Sequence, residues 1–522
     1  MDSNLNQYSD FLVKTFEKKV LRTSEKGLTV NPIVSELATW YEKFRNAIEY
    51  REEEVILRAS IERILKRRLL LGGNGKSVSG PLVRELTWAR YFPDGSIEEP
   101  TIDKVEKTVD LYLKLRTQIL EKHKIRETLI NKWIYQLMSS EIEHILTQNI
   151  EKETVSNYIF HILRNNIKIT DDTDDVRDVQ VFIAIRKAYA KDDLAFLHFN
   201  LFKQYFEELN EENVGTISDK FLEGYREIES QLNYPARYKI YSYVKRQIPP
   251  FLILEDVLRN TKDKFTELAK NDEEFQNIVF EACQARYNSI IAKIRRAIIR
   301  SVIFILLSKV FLAFTIEGTY ERFVYGQIQW LNIAINIAVP TFLMISSSLF
   351  IKAPGKDNSV RILDRIKILL FDPNPQIGRP IFVKHKAQTS KSVLENVFSF
   401  LWFATFFLSF GAIMYVLSRL HFNLVSQGFF IFFLTIVSFL SYRINQTAHL
   451  YTVQDKQGLI TPLVDFFFMP IARIGRYLTE GISQLNILLF VLDLIIEAPF
   501  KALVAFFDQW FHFLHAKRED LG

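Results

Sequence analysis

Hydrophobic and polar positions follow two different rules along this chain, and the change falls near residue 290. Before it, apolar residues recur at three- and four-residue spacing with charges between them, the signature of amphipathic helices. Val34 to Leu71 keeps this spacing, and Asn31-Pro32 supplies an N-cap followed by a proline suited to a first helical turn. The run Arg51-Glu52-Glu53-Glu54, followed by Arg58, Arg63, Lys66, Arg67 and Arg68, places opposite charges four apart on a solvated face. Later segments with the same period cover 103–122, 125–149, 151–166, 174–190, 191–210, 216–232, 236–247 and 251–269. Strand patterns are scarce. The expected fold is all-α, with a soluble helical domain over 1–290.

After residue 290 the pattern becomes long apolar runs. Ser301–Ile316, Gln329–Ile351, Val397–Leu417 and Leu424–Leu440 each approach the ~20 residues that cross a ~30 Å hydrocarbon core. In lipid such segments must be helical, because nothing there pairs a free backbone group. The expectation is a polytopic bundle of about four spans over 291–443. An amphipathic C-terminal tail over 444–522 would lie in the membrane interface or re-enter it. In that tail, Leu485–Ile496 carries Asn486 and Asp493, and Phe506, Phe507, Trp510, Phe511 and Phe513 form an aromatic stretch suited to an interface. The segment 485–507 also admits a fifth span.

Charge sharpens the division. Residues 1–290 hold 43 basic and 47 acidic side chains, a net of −4, and 291–522 hold 23 and 14, a net of +9. The negative balance of the first half argues against nucleic acid as its partner. Basic residues cluster before the first span (Lys293, Arg295, Arg296, Arg300) and in the loop 352–392, which has nine. By the positive-inside rule both regions, and both termini, are expected on the cytoplasmic side. The first 23 residues lack a signal-peptide pattern, which fits a bacterial cytoplasmic membrane. The sole cysteine, Cys283, excludes an intramolecular disulfide and a cysteine-based zinc site.

Chemistry is sparse. Gly72-Gly73-Asn74-Gly75-Lys76-Ser77 ends like a phosphate loop, but Leu70 stands where the motif needs its first glycine, so an interhelical turn is expected. Asp171, Asp172, Asp174, Asp175 and Asp178 fail the calcium-loop pattern at Val176 and Phe182, and read as charges at a helix N-terminus. Glu141 and His144 share a helix face but have no second copy to make a di-metal site. No cofactor or metal is implied.

Two sets of residues remain as candidate sites. Lys309 lies inside the first span, where a charge is costly. Asn332, Asn336 and Pro340 form a stripe at four-residue spacing in the second. Together they would line a polar intramembrane site, or they would only bind neighbouring helices together and bend one of them. In the loop 352–392, Arg361, Arg365, Lys367, Lys384 and Lys386 are candidate lipid-headgroup contacts, with 361–370 as a surface-lying amphipathic helix. These features lead to a non-enzymatic membrane protein with a cytoplasmic interaction or regulatory module. Its partners would be the bilayer and a protein, or a second copy, engaged through 1–290. A transporter or channel using Lys309, Asn332 and Asn336 is the alternative. A membrane enzyme acting on lipid through Asp465, Asp493 or Glu497 is a third.

Overall fold

The structure is a computed structural model that describes residues 5–17, 35–39, 41–43, 53–70, 72–147, 149–350, 354–384, 393–453, 461–483 and scattered positions between 503 and 514. Among these the chain is helical, apart from one pair of three-residue strands. The described residues divide into two compact units. One draws on Met1–Ser9, Arg246–Ile377 and Lys386–Leu485, the other on Asp10–Lys245, Gly378–His385 and Asn486–Gly522.

The helices of the second unit are α2 (Ile56–Leu69), α3 (Gly75–Trp88), α4 (Glu99–Lys122), α5 (Glu127–Thr147), α6 (Ile150–Leu163), α7 (Asp174–Ile185), α8 (Leu194–Phe206) and α9 (Val214–Leu232); α1 (Gln7–Glu17) precedes them. Amphipathic spacing explains their packing. In α4, Val105, Val109, Tyr112, Leu115 and Ile119 fall on one face and are buried, while the charged face stays in water. α4 packs on α3, α5 and α9, and α5 packs on α2 and α8. Trp133 sits among Phe202, Phe221 and Tyr225, with ring centroids 5.2–6.1 Å away. The glycine-rich stretch is the turn from α2 into α3. Asn74 caps α3, its side chain accepting from the Ser77 amide, and the Gly75 amide donates to Asp110 Oδ1 at 2.7 Å. That helix start is thus filled by the protein's own carboxylate. Likewise Thr173 caps α7, and Asp174 and Asp175 occupy its first turn.

A parallel strand pair joins distant parts of this unit. β1 (Ile167–Ile169) pairs with β2 (Ile381–Val383), in the register Ile167 to Ile381. The stretch the sequence assigns wholly to a loop between spans therefore contributes a strand to the second unit.

The first unit contains α11 (Pro249–Thr261), α12 (Asp272–Leu312), α13 (Gly318–Tyr325), α14 (Trp330–Phe350), α15 (Lys356–Phe371), α16 (Val393–Arg419), α17 (Leu424–Ala448) and α18 (Thr461–Ser483), with α10 (Arg237–Gln247) leading into it. Three helical stretches among the described residues are long and apolar enough to cross a membrane: Asp272–Tyr325, Asn396–Arg419 and Leu424–Ala448. The expected second span corresponds to α14, of which the apolar stretch Trp330–Ser346 is shorter. α12 packs on α14 and α17, α14 on α17, and α18 on both α17 and α16.

Two elements differ from expectation. α15, expected to lie on the membrane surface, buries Ile362, Leu363, Ile366, Leu369 and Leu370 against α11 and α12. Its apolar stripe is covered by protein. Within the segment 444–522, α18 is part of the helical packing: Gly475 lies so close to α17 that a Cβ there would meet the Thr435 carbonyl oxygen at 1.9 Å. Residues 485–502 lie outside the described residues, and Phe506, Phe507, Trp510 and Phe513 are exposed.

Candidate functional site: a buried polar cluster among the membrane helices

The first apolar helix does not stop where its hydrophobic run ends. After Leu312 it passes through a π-helical turn, Ala313–Glu317, and continues as α13 to the left-handed Gly326. Extra residues in a helical turn displace the side chains that follow, and such turns recur at functional sites. Here Glu317 and Glu321, which the sequence places in a loop, are instead buried, at 2% and 0% exposure.

They meet the candidate residues of the apolar spans. The Lys309 ammonium donates to Asn336 Oδ1 and lies 4.6 Å from the centroid of the Phe433 ring. Asn336 Nδ2 donates to both oxygens of Glu317, at 2.9 and 3.1 Å, and to the Ser426 carbonyl at 3.2 Å. Asn336 therefore bridges the ammonium and the carboxylate. Next to this, Glu321 accepts from the Gln329 amide and from Asn423 Nδ2, each at 2.8 Å. Asn332 donates to Gln329 Oε1 and, at 3.2 Å, to the His421 carbonyl. Asn423 also caps α17 through the Ser426 amide.

Lys309, Asn332 and Asn336 thus share one cluster. Pro340 is buried on the same helix and has no N–H to give the Asn336 carbonyl four residues earlier. Sequence reasoning missed Glu317, Glu321, Asn423 and Ser426. The available signal was that Glu317 and Glu321 continue at four-residue spacing from Ala313 with no Pro or Gly before Gly318.

Three basic residues of the 352–392 segment have protein partners. Arg361 donates to the Val453 carbonyl at 3.3 Å, Arg365 to Gln247 Oε1 at 2.8 Å, and Lys367 pairs with Asp272 at 2.5 Å. Lys384 is exposed, and Lys386 lies outside the described residues. Nearby, Asn358 donates to the Tyr287 hydroxyl and the Tyr451 carbonyl and accepts from the Val453 amide, which ties α15 to α12.

The second unit has its own buried charges. Arg58 reaches Glu62, Asp193 and Ser139, and Arg186 binds Asp192 at 2.6 Å and Glu153 at 2.7 Å. Glu143 has one carboxylate oxygen buried without a hydrogen-bond partner. Burial pushes its carboxyl up to about 8, against the opposing pull of Lys152 and Arg58. Glu141 is held by the Tyr112 hydroxyl at 2.7 Å. No group of three or more metal-ligating side chains occurs among the described residues.

Apolar helices of spanning length, with charged side chains satisfied inside their packing, define a helical membrane protein. Comparison with family models, with curated proteins and with solved structures gives no match.

Proposed function

We propose that this chain is a membrane-anchored, non-enzymatic adaptor, in which the helical N-terminal half is the interaction or regulatory module on the cytoplasmic face. One observation carries the reading. α12 runs 41 residues without interruption, from a charged first turn at Asp272–Glu274 into the apolar segment ending at Leu312. α11 and α15 pack along it. A helix of that length, ~60 Å at 1.5 Å per residue, is a stiff link between the membrane and whatever is built on its charged end. Four spans, with α14 as the second, serve as the anchor. The experiment is native mass spectrometry of the full chain, gently affinity-purified from its own membranes. A stoichiometric second protein, lost when exposed charges of residues 53–245 are reversed, is the expected result. A homo-oligomer with no partner counts against the adaptor.

A second reading has its own observation, the buried Lys309–Asn336–Glu317 bridge. Charges kept inside membrane helices mark ion and substrate paths more often than charges elsewhere. A transporter or channel at this cluster predicts that Lys309→Leu abolishes flux in proteoliposomes while leaving the protein folded. Unchanged flux removes this reading.

A further inference from the structure

The charges of the buried cluster do not balance. Glu317 and Glu321 are both fully enclosed, and Lys309 is the only buried cation near them among the described residues. Arg322, Arg419 and His421 on the adjoining elements are exposed, and α14 and the start of α17 contribute only neutral groups (Asn332, Asn336, Ser426, Gln427). Both carboxylates are arranged as acceptors. Glu317 receives two contacts from Asn336, and Glu321 receives the Gln329 amide and Asn423. The cluster therefore sets two buried carboxyl groups against one buried lysine, in a place where an unpaired charge is among the costliest features a fold can contain.

One further group lacks a partner, and another has lost its usual helical donor. The Ser426 hydroxyl is buried with no hydrogen-bond partner, although its own carbonyl accepts from Asn336 and its amide donates to Asn423. The Asn336 carbonyl has lost its helical donor to Pro340. Carboxylate, hydroxyl and carbonyl oxygens make a hard donor set suited to a small cation without thiolate or imidazole ligands. The π-helical turn that ends at Glu317 is what brings the acids to these oxygens.

We propose that the cluster of Glu317, Glu321, Asn336 and Ser426 binds one monovalent cation. The charge deficit is one, so a divalent metal would overshoot it. An alkali cation such as sodium supplies that unit of charge. The site rests on neither reading above, since an ion held at equilibrium need not cross the membrane.

The test is the unfolding temperature of the full-length protein in detergent. It is measured in NaCl, KCl and choline chloride at equal ionic strength and fixed pH. Sodium binding predicts a saturable rise of several degrees in NaCl over choline chloride. Glu321→Gln, which supplies a neutral group of the same shape, abolishes the sodium response. Ser426→Ala weakens the sodium response by shifting its midpoint to higher concentration. If Glu321→Gln does not fold, Glu317→Gln takes its place. The proposal is overturned if the wild type does not respond to alkali ions, or if its response survives in the carboxylate variant.

Discussion

Glu143 stands on α5 with one oxygen enclosed and unpartnered, and its carboxyl is raised from the ordinary 4.5 to about 8. Desolvation outweighs the attraction of Lys152 and Arg58, while Asp192 and Asp193 add to the rise. A folded-state value above the unfolded one stabilises the fold at low pH, and that contribution is lost as pH rises through the folded value. Over the window from about 4.5 to about 8 the loss is at most roughly 5 kcal/mol, at ~1.36 kcal/mol per unit. Glu143→Gln removes the titration. Its unfolding temperature should exceed that of the wild type at pH 8 and match it near pH 4.5. Equal differences at both values would refute this account. In the membrane cluster, Lys309, Asn332 and Asn336 were legible from sequence because polar side chains stand out in apolar runs. Glu317 and Glu321 were not, because acids beyond an apolar run look like loop residues until the helix is seen to continue.

At the scale of elements, close approach matters more than composition. α18 was hard to find because Pro470, Arg473 and Arg476 interrupt its apolar character, and residues 459–522 read as an interfacial tail. Its place against α17 depends on Gly475. A side chain there would collide with the Thr435 carbonyl, a backbone atom that cannot rotate away. Gly475→Ala should therefore separate the helices and lower the unfolding temperature, at a cost of about 1–3 kcal/mol as for other overpacked sites. Gly428→Ala on α17 is the control, since its added Cβ meets nothing within 4 Å. Equal behaviour of the two variants would mean that this crossing does not hold α18. α15 teaches the same lesson in reverse. Its amphipathic pattern was correctly read as one apolar face, but a pattern of that kind does not say whether lipid or protein covers it, and here α11 and α12 do.

For the whole molecule, periodicity alone established that the chain is helical and that some of its helices are apolar enough to cross a membrane. A charge every few residues makes a helix soluble on one side, and a run without charges cannot remain in water. These are local properties of the chain, which is why they survive without any knowledge of contacts. Tertiary structure decided what local pattern leaves open. It paired Ile167–Ile169 with Ile381–Val383 across more than 200 residues, a pairing that three-residue strands cannot advertise. It also turned two apparent loop acids inward beside Lys309 and Asn336. Such features depend on which surfaces of separate helices meet. That is set by the sum of many small packing and hydrogen-bond energies between residues far apart in the chain, and no single stretch of sequence contains it.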